Sequence, residues 1–429
     1  MNRIYRTIAR ALGPPLRLWL RHRAGKGKED PARLDERRGI AARPRPQGKL
    51  LWIHGASVGE ARSILPLLAR ILALHPDAHA LVTTGTLTSA AMLREALPAR
   101  AFHQFVPLDV PRWVERFLDH WRPDAALWVE SELWPNMLAA LGARRVPCAL
   151  VNARLSPASF ARWRRNRRLL RPPLEVFATV LAQSAADAER LAALGARDVR
   201  AAGNLKFDAP QLPVDIETLG KLGVAIGGRP VWLAASTHPG EEEIVADAHR
   251  AIAARLPGAL TLLVPRHAQR GDAIAAMLRA RGLVVAQRSA GEPIADDVEI
   301  YLADTMGELG LFYRLAPIGF IGKSLAGEGG QNPLEAAALD TAILGGPRVS
   351  NFEEIFARLV EADGARLVAD GRELADAVVV LSLDTVARQR MAQAALDIAA
   401  GGRGAVERVL AALAPVLAPL AAARRDARA

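Results

Sequence analysis

The residues best placed to do chemistry are carboxylates that leave an apolar run beside a turn. The first is Glu60. It closes Ser57-Val58-Gly59-Glu60, which follows the strand-like run Leu50-Leu51-Trp52-Ile53 and the turn His54-Gly55-Ala56. Two readings of this stretch are open. As Ser-x-x-Glu it is a capping box, in which the glutamate satisfies a backbone N–H at the start of a helix running to about Leu74. As a carboxylate at the carboxyl edge of a strand, it stands where open α/β sheets bind ligands and could accept a proton there. Two more carboxylates follow the apolar run Ala125-Ala126-Leu127, in Trp128-Val129-Glu130-Ser131-Glu132-Leu133-Trp134-Pro135-Asn136. Carboxylates beside two tryptophans are candidates for mutually shifted pKa values and acid–base work. The competing reading is helix capping, with Glu132 in the first turn of a helix near Pro135.

Basic and glycine-rich segments complete the set. Lys206 lies in Gly203-Asn204-Leu205-Lys206-Phe207-Asp208, at the boundary between two halves of the chain, where its ammonium could reach a ligand or simply meet solvent. Ile321-Gly322-Lys323-Ser324-Leu325 leads through Gly327, Gly329 and Gly330 to Gln331-Asn332-Pro333-Leu334-Glu335 and an apolar helix over 336–339. A glycine-rich loop entering a helix with proline near its first position offers free amides and a positive dipole end to an anion. Glu335 could accept hydrogen bonds from a ribose. Val264-Pro265-Arg266-His267 and Asp304-Thr305-Met306-Gly307-Glu308-Leu309 end two further strands. No metal site is expected: the nine histidines are scattered without ligand spacing, and there is no Asp-x-Asp.

The elements that must hold these residues alternate between short β-like runs and helical stretches, which points to parallel sheets covered by helices. Strands are expected near 50–54, 79–84, 102–106, 125–129, 147–151, 179–183 and 199–202. A second set falls near 230–235, 260–264, 283–287, 298–302, 317–321, 341–345 and 366–369. Asp208-Ala209-Pro210-Gln211-Leu212-Pro213 and a helix ending near Gly227-Gly228 separate the sets, which predicts two lobes with a cleft between them. The segments are residues 1–28, 29–211, a linker over 212–228, 229–404, and a helical tail over 405–429. Pro415 and Pro419 should kink or break that tail. Neither half opens with G-x-G-x-x-G, and the second strand ends in Val82-Thr83-Thr84-Gly85-Thr86 without an acidic residue for a ribose. A nicotinamide enzyme is therefore not expected, and a P-loop is absent.

The composition, 51% hydrophobic in 429 residues, is that of a folded protein of two or three domains. Cys148, the single cysteine, sits in an apolar run and reads as a buried thiol. The formal charge is +11, which invites anionic partners. Arg3, Arg6, Arg10, Arg17, Arg21, Arg23, Lys26 and Lys28 are interleaved with Ile4, Tyr5, Ile8, Leu12, Leu16, Leu18, Trp19 and Leu20. This N-terminal pattern is too charged to span a bilayer. It fits an interfacial membrane anchor or a helix packed on its own domain. A second basic run extends from Arg162 through Trp163, Arg164, Arg165, Arg167 and Arg168 to Arg171. No nucleic-acid-binding signature accompanies either run.

Taken together, these segments resemble the 3-deoxy-D-manno-octulosonic acid (Kdo) transferases. The matching stretches are 54–60, 130–136, Val151-Asn152-Ala153-Arg154-Leu155-Ser156, 204–208, Ser236-Thr237-His238 with Gly240-Glu241-Glu242, 265–267, 304–309 and 332–335, in family order across nearly the whole chain. The resemblance implies a GT-B fold: two Rossmann-like lobes, an N-terminal acceptor lobe and a C-terminal nucleotide lobe, an interlobe cleft and a C-terminal helical crossover. It implies metal-independent, inverting transfer of Kdo from CMP-Kdo to the 6′-hydroxyl of lipid IVA at the cytoplasmic face of the inner membrane, with no cofactor. It places the catalytic base on Glu60 and its transition-state helpers on Glu130 and Lys206. The CMP contacts fall on Pro265, Arg266, Met306, Gly307, Glu308, Asn332, Pro333, Leu334 and Glu335. It also makes the basic segments docking elements for anionic lipid. The alternatives are another nucleotide-sugar enzyme, such as a lipid-linked glycosyltransferase or a sugar-nucleotide epimerase, or a non-catalytic nucleotide binder. The chain departs from the family at Gln331, where histidine is usual; at Lys323, where glycine is common and a lysine would add a cation near the donor; and at Arg348-Val349-Ser350. One tension accompanies Glu60: a helix N-terminus weakens a carboxylate as a base, so burial or repulsion from Glu130 would have to offset it.

Overall fold

The computed structural model describes residues 3–130 and 132–421, apart from the side chains at 3–4 and 167–170. Ser131, the end of the tail beyond 421 and the side chains of Arg3, Ile4, Arg167 and Arg168 lie outside the described residues. The chain forms two compact units, Met1–Ala209 with Gly402–Ala429, and Pro210–Gly401.

The first unit is built on a parallel sheet of seven strands: β1 (Lys49–His54), β2 (Ala78–Thr84), β3 (Ala101–Phe105), β4 (Ala125–Val129), β5 (Cys148–Ala153), β6 (Thr179–Ala182) and β7 (Val199–Ala201). Their order is β3-β2-β1-β4-β5-β6-β7, with Leu51 level with Ala80 on one side and Ala125 on the other. The central strands are apolar at nearly every position because helices cover both faces. Leu51 and Ile53 face the helix Val58–Leu74 and the C-terminal helix Ala405–Leu417, in one cluster with Ile64, Leu68, Val409 and Leu413. The alternate residues Leu50 and Trp52 join Phe117, Trp121 and Trp128 on the other face, where the rings of Trp52 and Trp128 meet edge-on at 5.0 Å.

The second unit repeats the plan with β8 (Val231–Thr237), β9 (Leu260–Pro265), β10 (Val285–Gln287), β11 (Ile300–Leu302), β12 (Ile318–Ile321), β13 (Ala342–Gly345) and β14 (Ala365–Leu367). The order is β10-β11-β9-β8-β12-β13-β14, again all parallel. Each sheet therefore has one point where successive strands are added on opposite sides: between β1 and β4 in the first, and between β8 and β12 in the second. Ligands of open α/β sheets bind beyond the carboxyl ends of strands at such points.

Several local expectations need correction. The helix expected to end near Gly227-Gly228 is present as Ile216–Ile226, but it falls within the second unit instead of forming a separate linker. Pro415 lies inside the helix Ala405–Leu417, and the helix gives way only at the 3-10 turn Ala418–Leu420 that contains Pro419. Glu132 is not in a helical turn; the helix begins at Pro135, and Trp134 offers it no side-chain cap. The helix after the glycine-rich loop is a single turn, Leu334–Ala337. Four residues align too few peptide dipoles to supply the positive end that was expected there.

Candidate active site

In the first unit the switch point brings together residues far apart in sequence. β1 ends at His54, and the helix carrying Glu60 starts four residues later. Adjacent β4 ends at Val129, so Glu130 is the first residue beyond it, with φ of 60°. That left-handed conformation disfavours a residue with a side chain. It is held by the Glu130 N–H, which donates to Val151 O at 3.0 Å. The third group, Lys206, lies on the 3-10 turn Leu205–Asp208, and its Nζ is 2.8 Å from Glu130 Oε1. Both side chains are less than one-fifth exposed. Asn152 Oδ1 accepts from the Leu205 N–H, and Asn204 Oδ1 from the Lys206 N–H. The Asp208 carboxylate accepts from the N–H groups of Gly404 and Val406. The turn bearing Lys206 is thus clamped between β5 and the start of the C-terminal helix.

Both readings of Ser57–Glu60 are realised in one geometry. Ser57 Oγ accepts from the Glu60 N–H at 3.3 Å and donates to Glu60 Oε1 at 2.9 Å. Glu60 Oε2 accepts from the Ala56 N–H at 2.7 Å, one residue before the usual capping-box partner. These bonds favour the carboxylate. Burial, followed by the Glu130 charge, outweighs them, and the Glu60 pKa is pushed up from 4.5 to about 7. A carboxylate so placed is a competent base near neutral pH.

Around this pair lies a network with no visible sequence signature. Thr83 Oγ1 accepts from the Trp52 indole at 2.9 Å and lies 3.0 Å from His54 Nδ1. His54 Nε2, buried and without a hydrogen bond, is 3.9 Å from Glu132 Oε2. The imidazole, with the Trp134 indole at 2.8 Å, holds Glu132 below the usual carboxylate range. Asp109 supplies the missing cap of the helix Pro135–Ala143. Its carboxylate accepts from the N–H groups of Asn136 (3.0 Å) and Met137 (2.9 Å) and from the Tyr5 hydroxyl (2.9 Å). Glu60 and Glu130 could be found from residue type and strand position, and Lys206 from its place at the boundary between the two halves of the chain. Asp109 could not, because its partners lie on other elements.

In the second unit the residues expected to contact CMP fall on adjoining strand ends. Pro265 ends β9, followed by Arg266, which is exposed; Met306, exposed, and Gly307 follow β11. Glu308 is engaged by Arg288 and Thr305. Asn332 Oδ1 accepts from the Leu334 N–H at 3.2 Å, Pro333 precedes the single helical turn, and Leu334 is buried, leaving Glu335 half-buried within the turn. The order β11-β9-β8-β12 sets these loops side by side. Glu241, wholly buried, accepts from the N–H groups of His238, Lys323, Ser324 and Leu325. Glu242 pairs bidentately with Arg270. The sequence assigns these two glutamates no role, though a glycine followed by glutamates opening a helix was a legible signal; the structure gives Gly240 a φ of 92°. Among the described residues no three His, Cys, Asp or Glu side chains are grouped as a metal ion would require.

Two parallel sheets with candidate groups at both switch points define a GT-B type α/β protein. In agreement, the structure is similar to UDP-GlcNAc 2-epimerase from Neisseria meningitidis bound to UDP-GlcNAc, with a TM-score of 0.57 over 85% of this chain and 100% of that one. At 16% identity this likeness concerns the fold alone. The sequence is more specific. The 3-deoxy-D-manno-octulosonic-acid transferase (kdotransferase) profile matches residues 32–209. The 3-deoxy-D-manno-octulosonic acid transferase of Haemophilus influenzae is 36% identical over 396 residues, 90% of this chain and 91% of that protein. That of Bordetella pertussis is 36% identical over 425 residues, 96% and 98% of the two chains. The chain belongs to the 3-deoxy-D-manno-octulosonic acid transferase family, and it is a glycosyltransferase.

Proposed function

We propose that the enzyme moves Kdo from CMP-Kdo to the 6′-hydroxyl of lipid IVA with inversion at the anomeric carbon. The observation that carries this reading is the Glu60 carboxyl: buried at the β1–β4 switch point, raised to a pKa of about 7, and neighboured by the Glu130–Lys206 pair. Glu60 takes the proton of the acceptor hydroxyl as that oxygen bonds to the anomeric carbon. The bond from that carbon to the CMP phosphate oxygen breaks on the opposite face, and CMP leaves with the electron pair. Glu130 sustains the basicity of Glu60, and Lys206 holds Glu130 while offering positive charge to the transition state. The nucleotide belongs to the second unit, on Pro265, Arg266, Met306, Gly307, Glu308, Asn332, Pro333, Leu334 and Glu335. With only one helical turn after the glycine-rich loop, the charge on the departing phosphate is met by side chains, Arg266 first.

Anionic lipid of the inner membrane is the second partner in this reading. No helix among the described residues is long and apolar enough to cross a membrane. Along the helices Arg3–Ala11 and Gly13–Gly25 and at Leu12 between them, Ile8, Leu12, Leu18 and Trp19 are exposed together with Arg10, Arg17 and Arg21. Leu20 is buried against Val110 and Trp113, and Ala9 is buried as well. Such a surface suits peripheral binding to the cytoplasmic leaflet. Incubation with CMP-Kdo and lipid IVA, read by mass spectrometry, tests the reaction. A product heavier by one or more Kdo residues supports it. No product, with UDP rather than CMP protecting against thermal unfolding, replaces it by another nucleotide-sugar activity.

A further inference from the structure

We infer that Lys323, with His238 beside it, is the specificity-determining subsite for the carboxylate of the donor sugar, leaving Arg266 to the nucleotide phosphate. The inference rests on the donor reading above and deepens it. A CMP-linked ulosonic acid carries two anionic groups, the phosphodiester and the acid of the sugar, so a site that reads both needs two separated cations.

The second sheet provides them in order. Arg266, His238 and Lys323 follow the carboxyl ends of β9, β8 and β12, which are consecutive in the sheet. Neighbouring strands are about 4.8 Å apart, so the outer two positions are separated by roughly twice that spacing with the imidazole between. Hydrogen bonds to β8 fix both flanks: the Arg266 N–H donates to Thr237 O at 3.0 Å and the Gly322 N–H to Ala235 O at 2.8 Å. A side chain at 322 would strike Ser236 O at 2.6 Å, so this close approach requires glycine. One buried oxygen, Glu241 Oε2, accepts from both the His238 N–H (3.0 Å) and the Lys323 N–H (2.6 Å). The two residues are therefore locked together on the β8–β12 switch point.

The charge is available to a ligand. Among the described residues, no carboxylate lies within ion-pair distance of the Lys323 ammonium or the Arg266 guanidinium. Glu241, the nearest buried carboxylate in sequence to His238, is occupied by four backbone N–H groups. Lys323 also holds a φ of 60°, the left-handed region that favours glycine. Backbone of this kind persists where the surroundings over-determine it, often at ligand clamps. His238 contributes a neutral donor. Burial, then the Lys323 charge, lowers its pKa to about 4. The Gln331 amide nitrogen lies 3.1 Å from Nε2 and holds the ring in place; with that amide donating, Nδ1 carries the proton.

The test compares two ligands of the full-length enzyme, CMP and CMP-Kdo. Lys323→Met should raise the KM for CMP-Kdo by about 10- to 100-fold, the loss expected for one charge-assisted hydrogen bond. The inhibition constant of CMP should stay within about twofold, which also shows that the second unit is folded. Lys323→Arg should recover much of the loss. Parallel weakening of CMP would assign Lys323 to the phosphate, and an unchanged KM would remove it from the donor site. Either result overturns the inference. An unaltered enzyme that binds CMP but never turns over CMP-Kdo would overturn the donor reading itself, and this inference with it.

Discussion

Lys206 Nζ and Glu130 Oε1 are 2.8 Å apart across 76 residues of sequence. The pair joins the strand end at β4 to the turn clamped by the C-terminal helix. Removing one partner leaves the other charged, poorly solvated and next to Glu60. Lys206→Met and Glu130→Gln should each lower kcat by about 10- to 1,000-fold, the range for loss of a preorganised electrostatic group. Their effects should be strongly non-additive, because both disrupt the same unit. A double-mutant cycle on kcat checks this, and full additivity would separate the two roles.

The pH dependence follows from Glu60. In the proposed reaction the deprotonated carboxylate is the active form, so kcat/KM should rise with pH and level off above about 7, the pKa set by burial and by Glu130. Glu130→Gln removes the second of these causes, and the acidic limb should move to lower pH even as the plateau falls. A pH–rate profile of both proteins tests the direction; an upward movement of the limb contradicts it.

Asp109 ties the N-terminal helix to the loop before Asn136 through Tyr5, Asn136 and Met137. Asp109→Ala should cost about 1–2 kcal/mol in urea unfolding, as for loss of a helix cap. It should also reduce kcat, because the segment 130–135 is released. Tyr5→Phe removes one hydrogen bond to the same carboxylate, on the exposed side, and should cost less than Asp109→Ala, about 0.5–1 kcal/mol.

Vesicle binding should depend on the exposed N-terminal arginines. Arg10, Arg17 and Arg21 changed together to Ala should weaken co-sedimentation with anionic vesicles by about 10- to 200-fold, at roughly 1 kcal/mol per cation, and the remaining binding should fall with salt. Arg171 should contribute less, since it is paired with Glu175 at 2.9 Å. Unchanged binding of the triple variant would remove the lipid-docking role.

All fourteen strand positions were legible in the sequence: the central parallel strands, buried on both faces, read as short apolar runs between turns, and the exposed edge strands β7 and β14 followed from the alternation of strands with helices. Glu60 and Glu130 could be picked out because each follows such a run. Their proximity could not, since it depends on β1 lying beside β4. The dipole expected after the glycine-rich loop failed for a local reason: the apolar stretch that reads as a helix becomes Leu334–Ala337 and then turns back into β13. Asp109 stayed unreadable, because a carboxylate that caps backbone on another element leaves no spacing in its own segment.

The central claim is that the Glu60 carboxylate serves as the base as well as the cap, and Glu60→Gln separates these roles. Glutamine can still accept the Ala56 N–H and close the cap. Because the Glu60 pKa is raised on folding, the stability it contributes is complete below about pH 4.5 and is lost as pH rises through about 7. The variant should therefore unfold no more easily than the parent at pH 8, and should gain on the order of 3 kcal/mol, the rise from 4.5 to about 7 taken at about 1.4 kcal/mol per pKa unit. Single-turnover transfer of Kdo to lipid IVA at pH 8 is the decisive measurement. A folded Glu60→Gln protein slowed by about 10²- to 10⁴-fold is the result this account predicts; transfer at close to the parent rate would contradict it and leave Ser57–Glu60 a helix cap alone.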